Sequence, residues 1–173
     1  MAAGQTYTPI TSTTLGSSQS SVNFTSIAQT YTDLVLVVSA KASSATYDIT
    51  AMSINGITSG YSKTYLQGDG SSALSGRQTA EIRLRGGYLP GTNYSNEFSV
   101  DTYHFMNYSN TTTYKTVLCR LNAYNTVNLG FNTQAQVCLI PTTSAITSIS
   151  IATANGANLY TNSTFTLYGI TAA

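Results

Sequence analysis

The sequence predicts an all-β protein, an antiparallel two-sheet sandwich with jelly-roll-like connections and eight or nine strands. Three observations carry that expectation. Glu, Lys, Leu and Ala never recur at helical spacing over a dozen positions, β-branched and aromatic residues are spread along the whole chain, and the apolar runs are separated by turn-forming residues. The 173 residues suffice for one domain with a substantial core.

Taken in order, residues 1–20 read as an extended arm, Ser/Thr-rich with isolated apolar anchors at Tyr7, Ile10 and Leu15. The sandwich then spans residues 21–173. Strands are expected over 21–24, 33–40, 46–54, 79–85, 97–107, 113–124, 136–140, 145–153 and 164–171. Asn55-Gly56 suits a type I′ turn and is expected to close a hairpin, because both residues tolerate positive φ. A second turn is expected at Tyr108-Ser109-Asn110-Thr111. Glycine-rich residues 60–76 and 86–94 read as long exposed loops. In the last strands Ile146, Ile149, Ile151, Phe165 and Leu167 are expected to face the core.

Charged residues make up only 8% of the chain, against about 25% in ordinary soluble domains, while Ser and Thr together fill 51 positions. The polar surface is therefore hydroxyl and amide. A net charge of +1, scattered over seven Lys and Arg, supplies no basic stripe for a phosphate backbone, which argues against nucleic acid as a partner. The longest apolar run, Leu34 to Val38, is far shorter than the roughly 20 residues that cross a bilayer, and Met1-Ala2-Ala3-Gly4 lacks the features of an export signal, so no membrane partner is expected.

Chemistry has little to work with. One histidine and six carboxylates are present, and in the only suggestive group, Ser99, Asp101 and His104, alternation along a strand puts His104 on the face opposite the other two. No Cys, His or acidic residues have metal-ligand spacing, and Gly68-Asp69-Gly70 reads as a solvated turn. Phosphate loops are missing. The expectation is a protein with no catalytic residues, metal or cofactor. Cys119 and Cys138 lie in apolar runs, where buried free thiols are the leading reading and a disulfide the second.

The thirteen tyrosines stand out. Those in or beside loops, Tyr61, Tyr65, Tyr88, Tyr94, Tyr108, Tyr124 and Tyr160, would serve a subunit interface or a sugar-binding surface, with plain sandwich packing as the alternative. Glu81-Ile82-Arg83-Leu84-Arg85 alternates so that Glu81, Arg83 and Arg85 share one face of a strand. The candidate interface set is therefore Tyr7, Ile10, Leu15, Tyr61, Tyr65, Tyr88, Tyr94, Arg83 and Arg85.

Several short segments, taken in order along the chain, form a pattern of their own. They are Tyr7-Thr8-Pro9-Ile10, Thr13-Thr14-Leu15-Gly16-Ser17, Val22-Asn23-Phe24-Thr25-Ser26-Ile27 and Gln29-Thr30-Tyr31-Thr32-Asp33-Leu34-Val35-Leu36 near the start. Asn107-Tyr108-Ser109-Asn110-Thr111 with Tyr114-Lys115-Thr116 follows in the middle, then Ala145-Ile146-Thr147-Ser148-Ile149 and Phe165-Thr166-Leu167-Tyr168-Gly169-Ile170 near the end. In these the chain resembles small tailed-phage virion structural proteins, capsid decoration or tail-associated β-sandwiches. It departs from their pattern in having no Trp and in reading Asn55-Gly56-Ile57-Thr58 in place of a longer Asn-Gly-Asp element. The resemblance implies a virion structural protein made in the host cytoplasm, most readily a capsid decoration (cement) protein that binds the major capsid shell as a homo-oligomer, a trimer. The alternative it leaves open is a tail-fibre or tail-associated receptor- or glycan-binding module. The arm would then lie along a neighbouring subunit or return to its own sandwich.

Overall fold

The structure is a computed structural model that describes residues 6–94, 96–123 and 132–171. Among these residues the chain is all-β, with twelve strands where eight or nine were expected. They are β1 (Tyr7–Thr14), β2 (Val22–Phe24), β3 (Asp33–Ala40), β4 (Tyr47–Ile54), β5 (Tyr61–Gly68), β6 (Ala73–Glu81), β7 (Leu84–Pro90), β8 (Ser99–Met106), β9 (Lys115–Ala123), β10 (Asn132–Ile140), β11 (Ile149–Thr153) and β12 (Thr164–Ile170). A large sheet of eight strands runs β1-β12-β3-β8-β9-β10-β5-β6, and a small sheet of four runs β2-β11-β4-β7. From β2 onward successive strands or hairpins alternate between the sheets, which is the jelly-roll connection pattern. The meander β8-β9-β10 occupies the place of a single strand, and β12 and β1 extend the sheet beyond β3.

Period-two alternation builds the core between the sheets. Leu34, Leu36 and Val38 of β3, Phe165 and Leu167 of β12, Met52 and Ile54 of β4, and Ile149 and Ile151 of β11 are all fully buried. Each such side chain contributes about 1.5–3 kcal/mol on leaving water. Tyr103 and Phe105 of β8 and Val117 and Leu121 of β9 continue this layer beneath β7.

Four sequence expectations are corrected. Residues 86–94, expected as an exposed loop, instead supply most of β7, with Gly86, Gly87, Leu89 and Pro90 buried against the large sheet. The arm takes the second of its two expected courses: β1 pairs along its length with β12 of the same chain, from Tyr7↔Ile170 to Thr14↔Thr164. Its continuation is also tied in, with the Leu15 N–H donating to Ser163 O at 2.9 Å and Gln19 bridging Leu159. Residues 60–76 are a hairpin, β5 and β6, closed where Asp69 accepts from the backbone N–H groups of Ser71 and Ser72 at 2.9 and 2.6 Å. The expected strand 79–85 is broken: β6 ends at Glu81, Ile82 is exposed, and β7 starts at the buried Leu84 in the other sheet. Asn55-Gly56 does form a turn of positive φ, 51° and 72°, with Ile57 N–H reaching Ile54 O at 3.0 Å. It carries the chain from one sheet to the other instead of closing a hairpin, because Asn55 Oδ1 accepts from the N–H groups of Thr147 and Ser148 at 2.9 and 3.1 Å, binding the turn to the segment before β11.

Gly86 and Gly87 set how closely the small sheet approaches the large one. A Cβ at Gly86 would lie 1.9 Å from the Tyr103 hydroxyl, and one at Gly87 2.7 Å from the Asp101 carboxylate. Both obstacles are fully buried and cannot swing aside. Gly86→Ala is therefore expected to destabilise the fold by about 1–3 kcal/mol, read as a lower urea midpoint. An unchanged midpoint would show that the sheets have slack at this crossing.

Candidate functional site

The large sheet is wider than its cover. β7, the edge strand of the small sheet, lies mainly over β8 and β9 and touches β10 and β5, so the inner face extends beyond it over β5 and β6 as a shelf, with Gln134, Gln136 and Cys138 of β10 buried at its root. Side chains change character along each row at that boundary. One row across the inner face runs Leu36, Tyr103, Cys119, Gln136, Tyr65, Gly76. The next runs Val38, Asp101, Leu121, Gln134, Gln67, Leu74, and the third Leu34, Phe105, Val117, Cys138, Lys63, Gln78. Under the small sheet the rows are largely aliphatic and aromatic; on the shelf they are dominated by amides, with Tyr65 and Lys63.

The shelf amides are linked head to tail. Gln136 Nε2 donates to Gln134 Oε1 at 2.5 Å, and Gln134 Nε2 donates to Gln67 Oε1 at 2.8 Å. Tyr65 covers Gly76, where a Cβ would meet its hydroxyl at 2.7 Å, and the Lys63 ammonium sits 5.4 Å from the Tyr65 ring centroid. Burial pulls Lys63 below its ordinary pKa, opposed by nearby Cys138 and Glu81. At the step up to β7, Tyr88 meets Tyr47 edge to face at 5.3 Å, and Arg85 Nε reaches Glu81 Oε2 at 3.3 Å.

The opposite face of the same strands is apolar where it meets water. Leu118 and Val137 are direct cross-strand neighbours, 41% and 50% exposed, and Leu66, 64% exposed, lies beside them opposite Ala135. Val100 and Met106 extend the exposed apolar surface along β8. The flanking charges are Arg120, opposite Ala135, and Arg77, opposite Thr64. Asp33 at the far end of that face accepts from Asn107 N–H at 2.6 Å and pairs with His104 Nε2 at 2.9 Å. Over β10 and β5 the sheet is thus inverted, with polar side chains inward and aliphatic ones outward.

The residues singled out by sequence do not come together. Tyr65, Tyr88 and Arg85 border the shelf, whereas Arg83 donates to Thr153 O at 3.4 Å. Tyr61 is not a surface residue: it is buried in the core, and its hydroxyl donates to Ile57 O at 3.1 Å and accepts from Ile54 N–H at 3.0 Å. Leu15 and Tyr94 are likewise buried, the Tyr94 carbonyl accepting from the Lys41 ammonium. Tyr7 is half exposed beside Tyr168, and Ile10 lines a groove of about 370 Å³ at the opposite margin of the sandwich with Thr11, Thr13, Asn23, Phe24 and Leu167. Tyr124 lies outside the described residues. Gln67, Gln134, Leu66, Leu118 and Val137 escaped the sequence reading, although the alternation Gln134-Ala135-Gln136-Val137 already places two glutamines on one face and two aliphatics on the other.

The titratable groups are dispersed. Among the described residues no three His, Cys, Asp or Glu gather as a metal site. Asp48 accepts from Asn155 and Ala157, Asp69 caps its turn, and Ser99 and Asp101 face inward while His104 faces outward. The sulfurs of the free thiols Cys119 and Cys138 lie 3.8 Å apart on β9 and β10, and their shared hydrogen bond together with burial holds Cys119 well above its ordinary pKa. Set against known proteins, the chain matches no family, no curated protein and no solved structure.

Asp101 couples the stability of the fold to pH. It accepts from the Tyr103 hydroxyl at 3.0 Å and from Asn122 N–H at 3.2 Å. Burial nonetheless pushes its carboxyl from 3.8 up to about 7, with the Tyr103, Asn122 and Gly87 donors pulling the other way. A carboxyl raised on folding stabilises the fold fully below its unfolded pKa and loses that contribution as pH rises through its folded pKa. The window here runs from 3.8 to about 7, worth about 4 kcal/mol at most. The urea midpoint is expected to fall between about pH 4 and about pH 7, and Asp101→Asn to flatten that fall. An equally steep profile in the variant would assign the pH dependence to another group.

Proposed function

We propose that this chain is a non-enzymatic virion structural protein, a capsid decoration protein that docks through the outer face of its large sheet. The observation that carries the reading is the exposed aliphatic patch of Leu66, Leu118 and Val137 on paired strands. Contiguous exposed apolar surface of this kind marks interaction sites on soluble proteins. The phage resemblance at both ends of the sequence supplies the setting.

Charge favours a partner other than a second copy on this face. Arg120 and Arg77 flank the patch, and the Asp33 carboxylate on the same face is occupied by His104 and Asn107. Two copies meeting here would oppose arginine to arginine, whereas a shell surface with an apolar centre and flanking carboxylates complements it. Homo-oligomerisation belongs, in this reading, to other surfaces.

Leu118→Asp and Val137→Asp each place a carboxylate at the centre of the patch without touching the core. Each is expected to lower the occupancy of purified phage shells about a hundredfold while the thermal midpoint stays within about 5 °C of the parent. Binding equal to the parent, or labelled protein confined to the tail tip, contradicts the proposal.

A further inference from the structure

We propose that the shelf beyond β7 is a binding site for a neutral carbohydrate. It lies on the side of β10 and β5 opposite the aliphatic patch, so it stands independently of the docking reading. A sugar ring presents adjacent hydroxyls, each both donor and acceptor, and primary amides are the side chains that offer both functions from one planar group. The amide chain from Gln136 through Gln134 ends at Gln67, whose carbonyl is used and whose NH₂ group is left as the terminal donor. Gln78, opposite Lys63 on the same face, holds a buried Oε1 that accepts no hydrogen bond. A donor and an acceptor without partners therefore stand on one sheet face. An orphaned buried acceptor costs about 1–3 kcal/mol, which a ligand hydroxyl would recover once the half-exposed Gln78 side chain turns its amide to the shelf surface.

The surroundings specify the class further. Tyr88 and Tyr47, edge to face at the step, give an aromatic wall for the apolar face of a pyranose ring. Glu81 and Arg85 satisfy each other at 3.3 Å, and the Lys63 ammonium is drawn onto the Tyr65 ring. That leaves the floor to uncharged amides, which fits a neutral ligand. A peptide strand would add at the open edge of β6, on the rim, whereas β10 and β5 each already have a partner on both sides and offer the floor of the shelf side chains only.

The test is saturation-transfer NMR and calorimetry on the full chain with maltohexaose, cellohexaose, a manno-oligosaccharide and a galacto-oligosaccharide. At least one is expected to bind with a Kd of about 0.1–1 mM. Gln67→Ala and Tyr88→Ala, both at half-exposed positions, should each weaken that binding about tenfold at an unchanged thermal midpoint, with Tyr114→Ala, remote on an exposed turn, binding as the parent. Should either variant unfold, the near-isosteric Gln67→Glu and the less drastic truncation Tyr88→Leu are expected to lose binding equally. No saturation transfer from any of the four sugars at about 10 mM, or parental affinity in folded shelf variants, overturns the assignment.

Discussion

Everything distinctive about this molecule follows from a mismatch of widths, eight strands facing four. A sandwich buries the inner face of each sheet only where the other covers it. The small sheet runs out at β7; β10 is still buried on its inner face, and β5 and β6 continue largely uncovered. From β10 outward the inner face has no aliphatic layer of the small sheet to pack against, although the inner side chains of β10 remain buried. Inner positions there are released to Gln, Lys and Tyr, and outer positions carry Leu66, Leu118 and Val137 into solvent.

The boundary itself is held by backbone approach and one buried acid. Gly86 and Gly87 let β7 come within contact of Tyr103 and Asp101, and Asp101 gathers donors from β8, β9 and β7. A buried carboxyl joined to both sheets costs desolvation but fixes their offset, since sliding β7 toward β10 would strip it of a partner. The price of this joint is a pH dependence that an apolar contact would lack. In the same region Cys119 and Cys138 sit between Tyr103 and Lys63, where the interior passes from dry to polar.

The sequence made the covered half of the fold legible. Where both sheets are present, alternation is strong and β-branched, and β3, β4, β8, β9, β11 and β12 stand close to where the pattern places them. The uncovered half was not legible as strands for the same physical reason. Tyr61–Gly68 reads polar at its inner positions Lys63 and Gln67 and apolar at its outer Leu66, and the glycines at 68, 70 and 76 serve a turn and a tyrosine ring instead of a loop. β1 lies beyond β12 at the free margin, so its anchors are sparse, and only Ile10 among them packs partly against the core. Asn55-Gly56 shows the limit of local chemistry: the turn type follows from φ, but which strand comes next depends on where its apolar face is needed.

The inverted polarity of the overhang is the claim on which both proposed surfaces rest, and strand register decides it, because a slip of one residue exchanges the two faces. Methyl NMR with a soluble paramagnetic relaxation agent reads it directly. The methyls of Leu66, Leu118 and Val137 are expected to relax strongly, and those of Val117, Leu121 and Ile140 on the same or adjacent strands to be shielded. Shielded Leu118 and Val137 beside relaxed Val117 and Leu121 would mean that the sheet faces the other way, and the account would fail at its base.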